Sequence, residues 1–142
     1  MSDRAFLDTN VFVYAAGGGG GNKARIADRL IDRAIAGGTG VISFQVVQEF
    51  LNVALRKFAV PFSTEQARMY TQAAFRPMFV VQSSLGLYSE ALDIFSTRHI
   101  SWYDSLIAAA AAEAQCAILY TEDLGHGTTI GNVRVENPFR AA

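Results

Sequence analysis

Arg4-Ala5-Phe6-Leu7-Asp8-Thr9-Asn10-Val11-Phe12-Val13-Tyr14 holds the reading that decides the fold. A short apolar run rich in Phe and Leu reads as a buried strand; it stops abruptly in three polar residues before an apolar segment resumes. That pattern sets a carboxylate, Asp8, at the C-terminal tip of a strand. In open parallel sheets ligands bind in the crevice beyond the carboxyl ends of the strands, so Asp8 stands where chemistry is expected. Val11 to Ala16 continues as one or two helical turns, with Asp8 or Asn10 as the N-cap.

Working outward, Gly17 to Gly21 is a run of glycines with high backbone entropy, expected to be a mobile linker. It lacks both the G-x-G-x-x-G spacing directly after a strand and a G-K-[ST] ending, so a phosphate cradle is the weaker reading. Ala27, Leu30, Ile31, Ala34 and Ile35 mark a helix over 22–35 that stops at Gly37-Gly38. Its row of Arg25, Arg29 and Arg33 alternates with Asp28 and Asp32, which suits a solvated ion-pair face. Gly40 to Ser43 reads as a second strand, and Ser43 as the N-cap of a helix over 44–58 whose outer side carries Gln45, Glu49, Asn52 and Arg56. Ser63-Thr64-Glu65-Gln66 starts a further helix with a capping-box pattern, running to about Phe75. Residues 77–82 form a third strand candidate. Leu85, Tyr88, Ala91, Leu92 and Phe95 give the next helix its apolar stripe.

Ser101-Trp102-Tyr103-Asp104 opens a long alanine-rich helix over about 103–115, whose small side chains permit close packing. Residues 117–120 form a fourth strand ending in Thr121-Glu122-Asp123, a second polar strand tip like the first. Residues 133–135 look like a fifth strand. Strands alternating with helices indicate a single α/β domain over 1–142 with a mostly parallel, five-stranded sheet flanked by helices.

Composition narrows the partners. Hydrophobic residues make up 51% and charged residues 18% of the 142, so apolar surface must be hidden inside or against another chain. The balance of 12 Lys and Arg against 13 Asp and Glu gives no global attraction for nucleic acid; a local basic patch or metal ions must supply positive charge if the substrate is one. The lone Cys116 lies among apolar neighbours and reads as a small buried thiol, consistent with a reducing cytoplasm. No secretory signal or membrane span is expected.

Four acids hold suggestive places: Asp8 and Asp123 just after strands, Asp104 in the first turn of a helix, and Glu49 in a helix that follows a strand. Each has an ordinary explanation as cap, turn residue or surface charge. Together they fit a different one, because strand C-termini and the following helix N-termini share one edge of a parallel sheet. Two carboxylates about 5 Å apart at an effective dielectric of about 20 repel by roughly 3 kcal/mol. Protons or cations must relieve that repulsion. An oxygen-only set without clustered Cys or His selects a hard cation, Mg2+ or Mn2+, which suits phosphodiester hydrolysis.

Phe6-Leu7-Asp8-Thr9-Asn10-Val11, Val47-Gln48-Glu49-Phe50, Tyr103-Asp104-Ser105-Leu106-Ile107-Ala108-Ala109-Ala110 and Tyr120-Thr121-Glu122-Asp123-Leu124 resemble, in order, the four acidic motifs of PIN-domain ribonucleases, especially VapC-type toxins. The resemblance implies a Mg2+- or Mn2+-dependent endoribonuclease of the cytoplasm, usually a homodimer, held inactive by a cognate antitoxin. It implies Asp8, Glu49, Asp104 and Asp123 as the catalytic, metal-binding quartet, with Thr9, Asn10 and Thr121 supporting or lining the pocket. Strand alternation directs Glu122 away from the side shared by Thr121 and Asp123. The glycine run departs from the polar or charged loop common in the family, which bears on substrate contacts rather than on the metal site. Alternatives are a PIN-like RNA-processing nuclease or a catalytically inactive PIN-like binding module. An aspartyl-phosphate mechanism is disfavoured, because Asn10 stands where a second aspartate is needed and the only lysines are Lys23 and Lys57. His99, His126, Trp102 and Tyr103 read as structural first.

Overall fold

A computed structural model describes residues 3–140. In it the alternating pattern becomes β1 (Ala5–Leu7), α1 (Thr9–Ala16), α2 (Gly21–Gly37), β2 (Gly40–Ser43), α3 (Phe44–Arg56) and α4 (Thr64–Tyr70), the last extended by a π-helical turn (Thr71–Phe75). These are followed by β3 (Phe79–Val81), α5 (Leu85–Arg98), α6 (Trp102–Glu113), β4 (Ile118–Tyr120), β5 (Thr129–Ile130) and β6 (Val133–Glu136). The sheet order is β3-β2-β1-β4-β6-β5, with every neighbouring pair parallel except β5 and β6. The sheet therefore has six strands among the described residues, one more than the sequence indicates. The extra strand, β5, has two residues, too few to carry a period-2 signal, and it exists as the antiparallel edge partner of β6.

The order of the strands fixes where a site can form. From β1 the chain moves outward through β2 to β3, then returns to add β4 on the other side of β1. The two winding directions diverge between β1 and β4, and at that switch point the helices leave a crevice beyond the strand tips. Leu7 pairs with Tyr120 at those tips, and the Asp8 amide donates to the Tyr120 carbonyl at 3.0 Å. The two polar strand ends are thus fastened side by side.

Packing supports this edge from below. Phe6, Leu7, Ile42 and Leu119 are fully buried, as are Ala109 and Ala111 of α6, whose small side chains let that helix lie close to its neighbours. Gly40 shows the same closeness: a Cβ there would come within 2.8 Å of the Ala34 Cβ and 2.5 Å of the Met78 sulfur. Phe50 of α3 stacks on Tyr70 at 4.6 Å between centroids and meets Phe75 edge-on at 5.2 Å, while Phe75 meets Phe12 of α1 at 5.0 Å. This aromatic cluster ties α1 and α3 to the α4 segment. Truncating a buried phenylalanine such as Phe50 costs of the order of 3–5 kcal/mol.

Three expectations change in detail. The glycine linker spans Gly17–Gly20, and Gly21 already begins α2; Gly18, Gly20 and Gly21 have φ of 79°, 65° and 82°, values that side-chain-bearing residues adopt with strain. The stripe assigned to α5 does not all pack inward: Ala91 is buried and Tyr88 partly so, whereas Leu85, Leu92 and Phe95 are exposed, and Leu87, outside the stripe, is buried in their place. The arginine row of α2 is solvent-facing as expected, but among the described residues it makes no ion pair with Asp28 or Asp32, and Arg25 turns to Asn22 instead. Cys116 is buried, and burial pushes its thiol up to about 11, which keeps it protonated at neutral pH.

Candidate active site

All four sequence-nominated acids line one cavity of about 470 Å3 at the switch point, and Thr9 and Asn10 line it with them. Asp8 reaches it from the tip of β1, Glu49 from the second turn of α3, Asp104 from the first turn of α6, and Asp123 from the loop after β4. Local chemistry explains each placement. Asp8 is the N-cap of α1 and accepts from the Thr9 amide at 2.7 Å. Ser101 caps α6 by accepting from the Asp104 amide at 3.0 Å, which fixes the first turn that carries Asp104. Glu49 precedes Phe50, so the helix turns one side chain into the aromatic core and its neighbour toward the cavity.

Hydroxyls and amides, not cations, hold these carboxylates. The Thr121 hydroxyl, fully buried, donates to Asp8 Oδ2 at 2.8 Å and accepts from the Asp123 amide at 3.1 Å and from Asn10 Nδ2 at 3.3 Å. Asn10 Nδ2 also donates to Asp123 Oδ2 at 3.2 Å. The Thr9 hydroxyl donates to Glu49 Oε1 at 2.6 Å, and Gln45 Nε2 reaches Glu49 Oε2 at 3.4 Å and the Tyr103 carbonyl at 3.1 Å. Thr9, Asn10 and Thr121 are therefore brought to the site and bonded to its acids.

The electrostatics follow from that arrangement. Asp8 is 5% exposed, and burial lifts its carboxyl to about 7; the Thr121 and Thr9 hydrogen bonds oppose this, and the charges of Asp123 and Glu49 add to it. Burial likewise raises Asp104, against the Ser101 hydrogen bond and with Asp123 and Glu49 reinforcing the shift. The acids thus act on one another through space. The donor set suits a hard divalent cation: it is oxygen-only and mutually repulsive, and it is flanked by a buried Asn10 Oδ1 that has no hydrogen-bond partner. Among the described residues no three His, Cys, Asp or Glu side chains are grouped closely enough to hold an ion as they stand.

Glu122 departs from the expectation. The strand ends at Tyr120, so alternation no longer governs Glu122, and its side chain lines the same cavity. There it accepts from the Tyr14 hydroxyl and pairs with Lys23 at 3.2 Å. Lys23 also donates to the Tyr14 hydroxyl at 3.2 Å and sits 4.8 Å above the Tyr14 ring. Tyr14, Lys57, Val13 and Val53 are lining or neighbouring residues that the sequence reading did not nominate, as is Lys23 beside them. The periodicity of α3 holds a signal for two of them, Val53 and Lys57, since Gln45, Glu49, Val53 and Lys57 recur every four residues. His126 is structural, its Nδ1 accepting from the Asn137 amide at 3.1 Å; Trp102 packs edge-on against Phe95, and Tyr103 is exposed.

Comparison with known proteins agrees with this fold. The family model described as PIN domain matches residues 5–127. Among solved structures, a toxin–antitoxin complex from Klebsiella pneumoniae is similar with a TM-score of 0.67 at 17% identity, covering 94% of this chain and 97% of that one. VapBC2 from Rickettsia felis, bound to a DNA fragment from its promoter, gives 0.64 at 22% identity over 94% and 97%. VapC20 from Mycobacterium tuberculosis, described as a sarcin–ricin loop cleaving toxin, gives 0.60 at 16% identity over 81% and 86%. No curated protein matches the sequence.

Proposed function

The chain belongs to the PIN domain family, and on that premise we propose that it is a metal-dependent endoribonuclease, the toxin of a toxin–antitoxin pair. The observation that carries this reading is the convergence of Asp8, Glu49, Asp104 and Asp123 on one cavity with no ion pair from the protein to any of them among the described residues. Asp8, Asp104, Asp123 and Glu49 would hold Mg2+ or Mn2+. Such an ion supplies charge neutralisation at the phosphate and makes a water more acidic.

The chain's own residues do the positioning. Thr121 fixes the Asp8 carboxylate, Thr9 fixes Glu49, and Asn10 joins Thr121 to Asp123, so the acids are oriented before substrate arrives. In the hydrolysis, a water oxygen bonds to phosphorus while the P–O3′ bond breaks. The proton released by the water is balanced by the one the departing O3′ takes up, leaving 5′-phosphate and 3′-hydroxyl ends. With no ion bound, burial lifts the Asp8 carboxyl to about 7, and a cation held beside it would favour the charged form.

The partner and setting belong to the same proposal. The similar structure from Klebsiella pneumoniae is a toxin–antitoxin complex and that from Rickettsia felis is VapBC2 bound to a promoter fragment, which supports a cognate antitoxin. Exposed Leu85, Leu92 and Phe95 on α5 supply apolar surface for a homodimer or antitoxin to cover. No helix among the described residues is long and apolar enough to cross a membrane; a cytoplasmic setting is part of the proposal.

The test is RNA cleavage with added Mg2+ or Mn2+, comparing the native chain with Asp8→Asn and Asp104→Asn. Cleavage by the native chain alone is expected. Equal activity in all three would remove the assignment, and RNA binding without cleavage by the native chain would favour the inactive binding module.

A further inference from the structure

The cavity extends well past its acids. One face of α3 lines it through Gln45, Glu49, Asn52 and Val53 to Lys57, the residue that caps the helix C-terminus. At 1.5 Å per residue this stretch covers about 18 Å, far longer than a shared ion site. Asn10, Val13 and Tyr14 of α1 form the facing wall, with the Lys23-paired Glu122 against Tyr14, so the space is a groove between two helices that has the acid cluster at one end and is partly apolar along its middle. Lys57 is the one cationic residue that lines it.

The two lysines of the chain differ in availability. Lys23 is engaged by Glu122 and Tyr14. Lys57 is exposed, and among the described residues its side chain has no ion pair or hydrogen bond. Two turns of helix separate it from Glu49, about 12 Å along the axis, so it does not neutralise the acid cluster. With a net charge of −1 the chain offers RNA no global attraction, so positive charge along the groove has to be local.

We propose that the groove between α1 and α3 carries single-stranded RNA away from the acid cluster, and that Lys57 pairs with a backbone phosphate beyond the one cleaved. This rests on the nuclease reading above. Lys57 is a binding residue that acts on substrate affinity, and its effect depends on a substrate long enough to reach it. Val13 and Val53 line the groove between its ends and offer apolar contact to a ribose or base.

The experiment compares the full-length native chain with Lys57→Ala, Lys57→Arg and Lys57→Glu. Cleavage is followed with Mg2+ on a long unstructured RNA and on a dinucleotide. On the long RNA, Lys57→Ala is expected to raise KM about fivefold to tenfold with kcat within about twofold, Lys57→Arg to restore KM, and Lys57→Glu to raise it further. On the dinucleotide all four chains should match. Binding of an intact oligonucleotide, measured by anisotropy in an Asp104→Asn background, should lose about 0.7 from its log-affinity against log-salt slope on Lys57→Ala. An unchanged KM and slope overturn the proposal while leaving the nuclease reading intact. Equal impairment on both substrates overturns it in favour of a structural role. Absence of cleavage by the native chain removes the nuclease reading and this inference with it.

Discussion

Glu122 and Asp123 are neighbours in the chain and line the same cavity, yet their charges are handled in opposite ways. Glu122 has a lysine at 3.2 Å and a tyrosine hydroxyl, so its charge is balanced inside the protein. Asp123 receives only neutral donors from Asn10 and raises the carboxyls of Asp8 and Asp104 by its charge. The contrast separates a carboxylate that belongs to the scaffold from a set that, on the proposed reading, is left for a cation. It also explains why Asp8 is held near neutrality on its own: burial without a cation favours the protonated acid.

The largest expected effect comes from breaking this pair apart. Asp123→Asn should lower RNA cleavage a hundredfold or more, about 2.7 kcal/mol or above in transition-state stabilisation, whereas Glu122→Gln should stay within about threefold. Single-turnover cleavage of one RNA by both variants measures the difference, and equal losses would erase the distinction between the two carboxylates.

The second effect is on stability. Asp8 has a folded value of about 7 against an ordinary 3.8, so the unfolded chain gives up its proton first as pH rises. The stability associated with Asp8 is thus fully present below about pH 4, is lost as pH rises toward and through 7, and then levels off. For such a buried group this amounts to a few kcal/mol. Thermal melts of the metal-free native chain should show that decline, and Asp8→Asn, which cannot titrate, should flatten it. A native profile that rises over the same range would contradict the burial account.

A smaller effect tests the neutral donors. Thr9→Val removes the hydroxyl that holds Glu49 at 2.6 Å and should lower kcat about tenfold, with Thr9→Ser restoring most of it. Steady-state kinetics separating kcat from KM checks this; unchanged kcat would mean that Glu49 needs no such support.

The sequence carried much of this contrast, in uneven measure. Asp8, Asp104 and Asp123 were legible because each follows a strong local signal: an apolar run that ends, or a serine that starts a helix. Glu49 was legible only through its motif and its neighbours in order. The sixth strand was not, since Thr129–Ile130 is defined by its partner and not by its own pattern. Strand alternation misplaces Glu122, because the strand stops at Tyr120 and the backbone beyond it follows loop geometry. The Lys23–Tyr14–Glu122 cluster joins residues 99 and 108 positions apart, and no local pattern encodes such a meeting. The apolar stripe of α5 had the right period, but a periodic face does not say whether the protein's own core or another chain covers it.

The claim that the acid cluster awaits a hard divalent cation is tested most directly by calorimetric titration of Mn2+ into the metal-free native chain, Asp8→Asn, Asp104→Asn and Glu122→Gln. Saturable binding is expected in the native chain and in Glu122→Gln, and its loss or marked weakening in the other two. No binding to the native chain, or the same binding in all four, would contradict it.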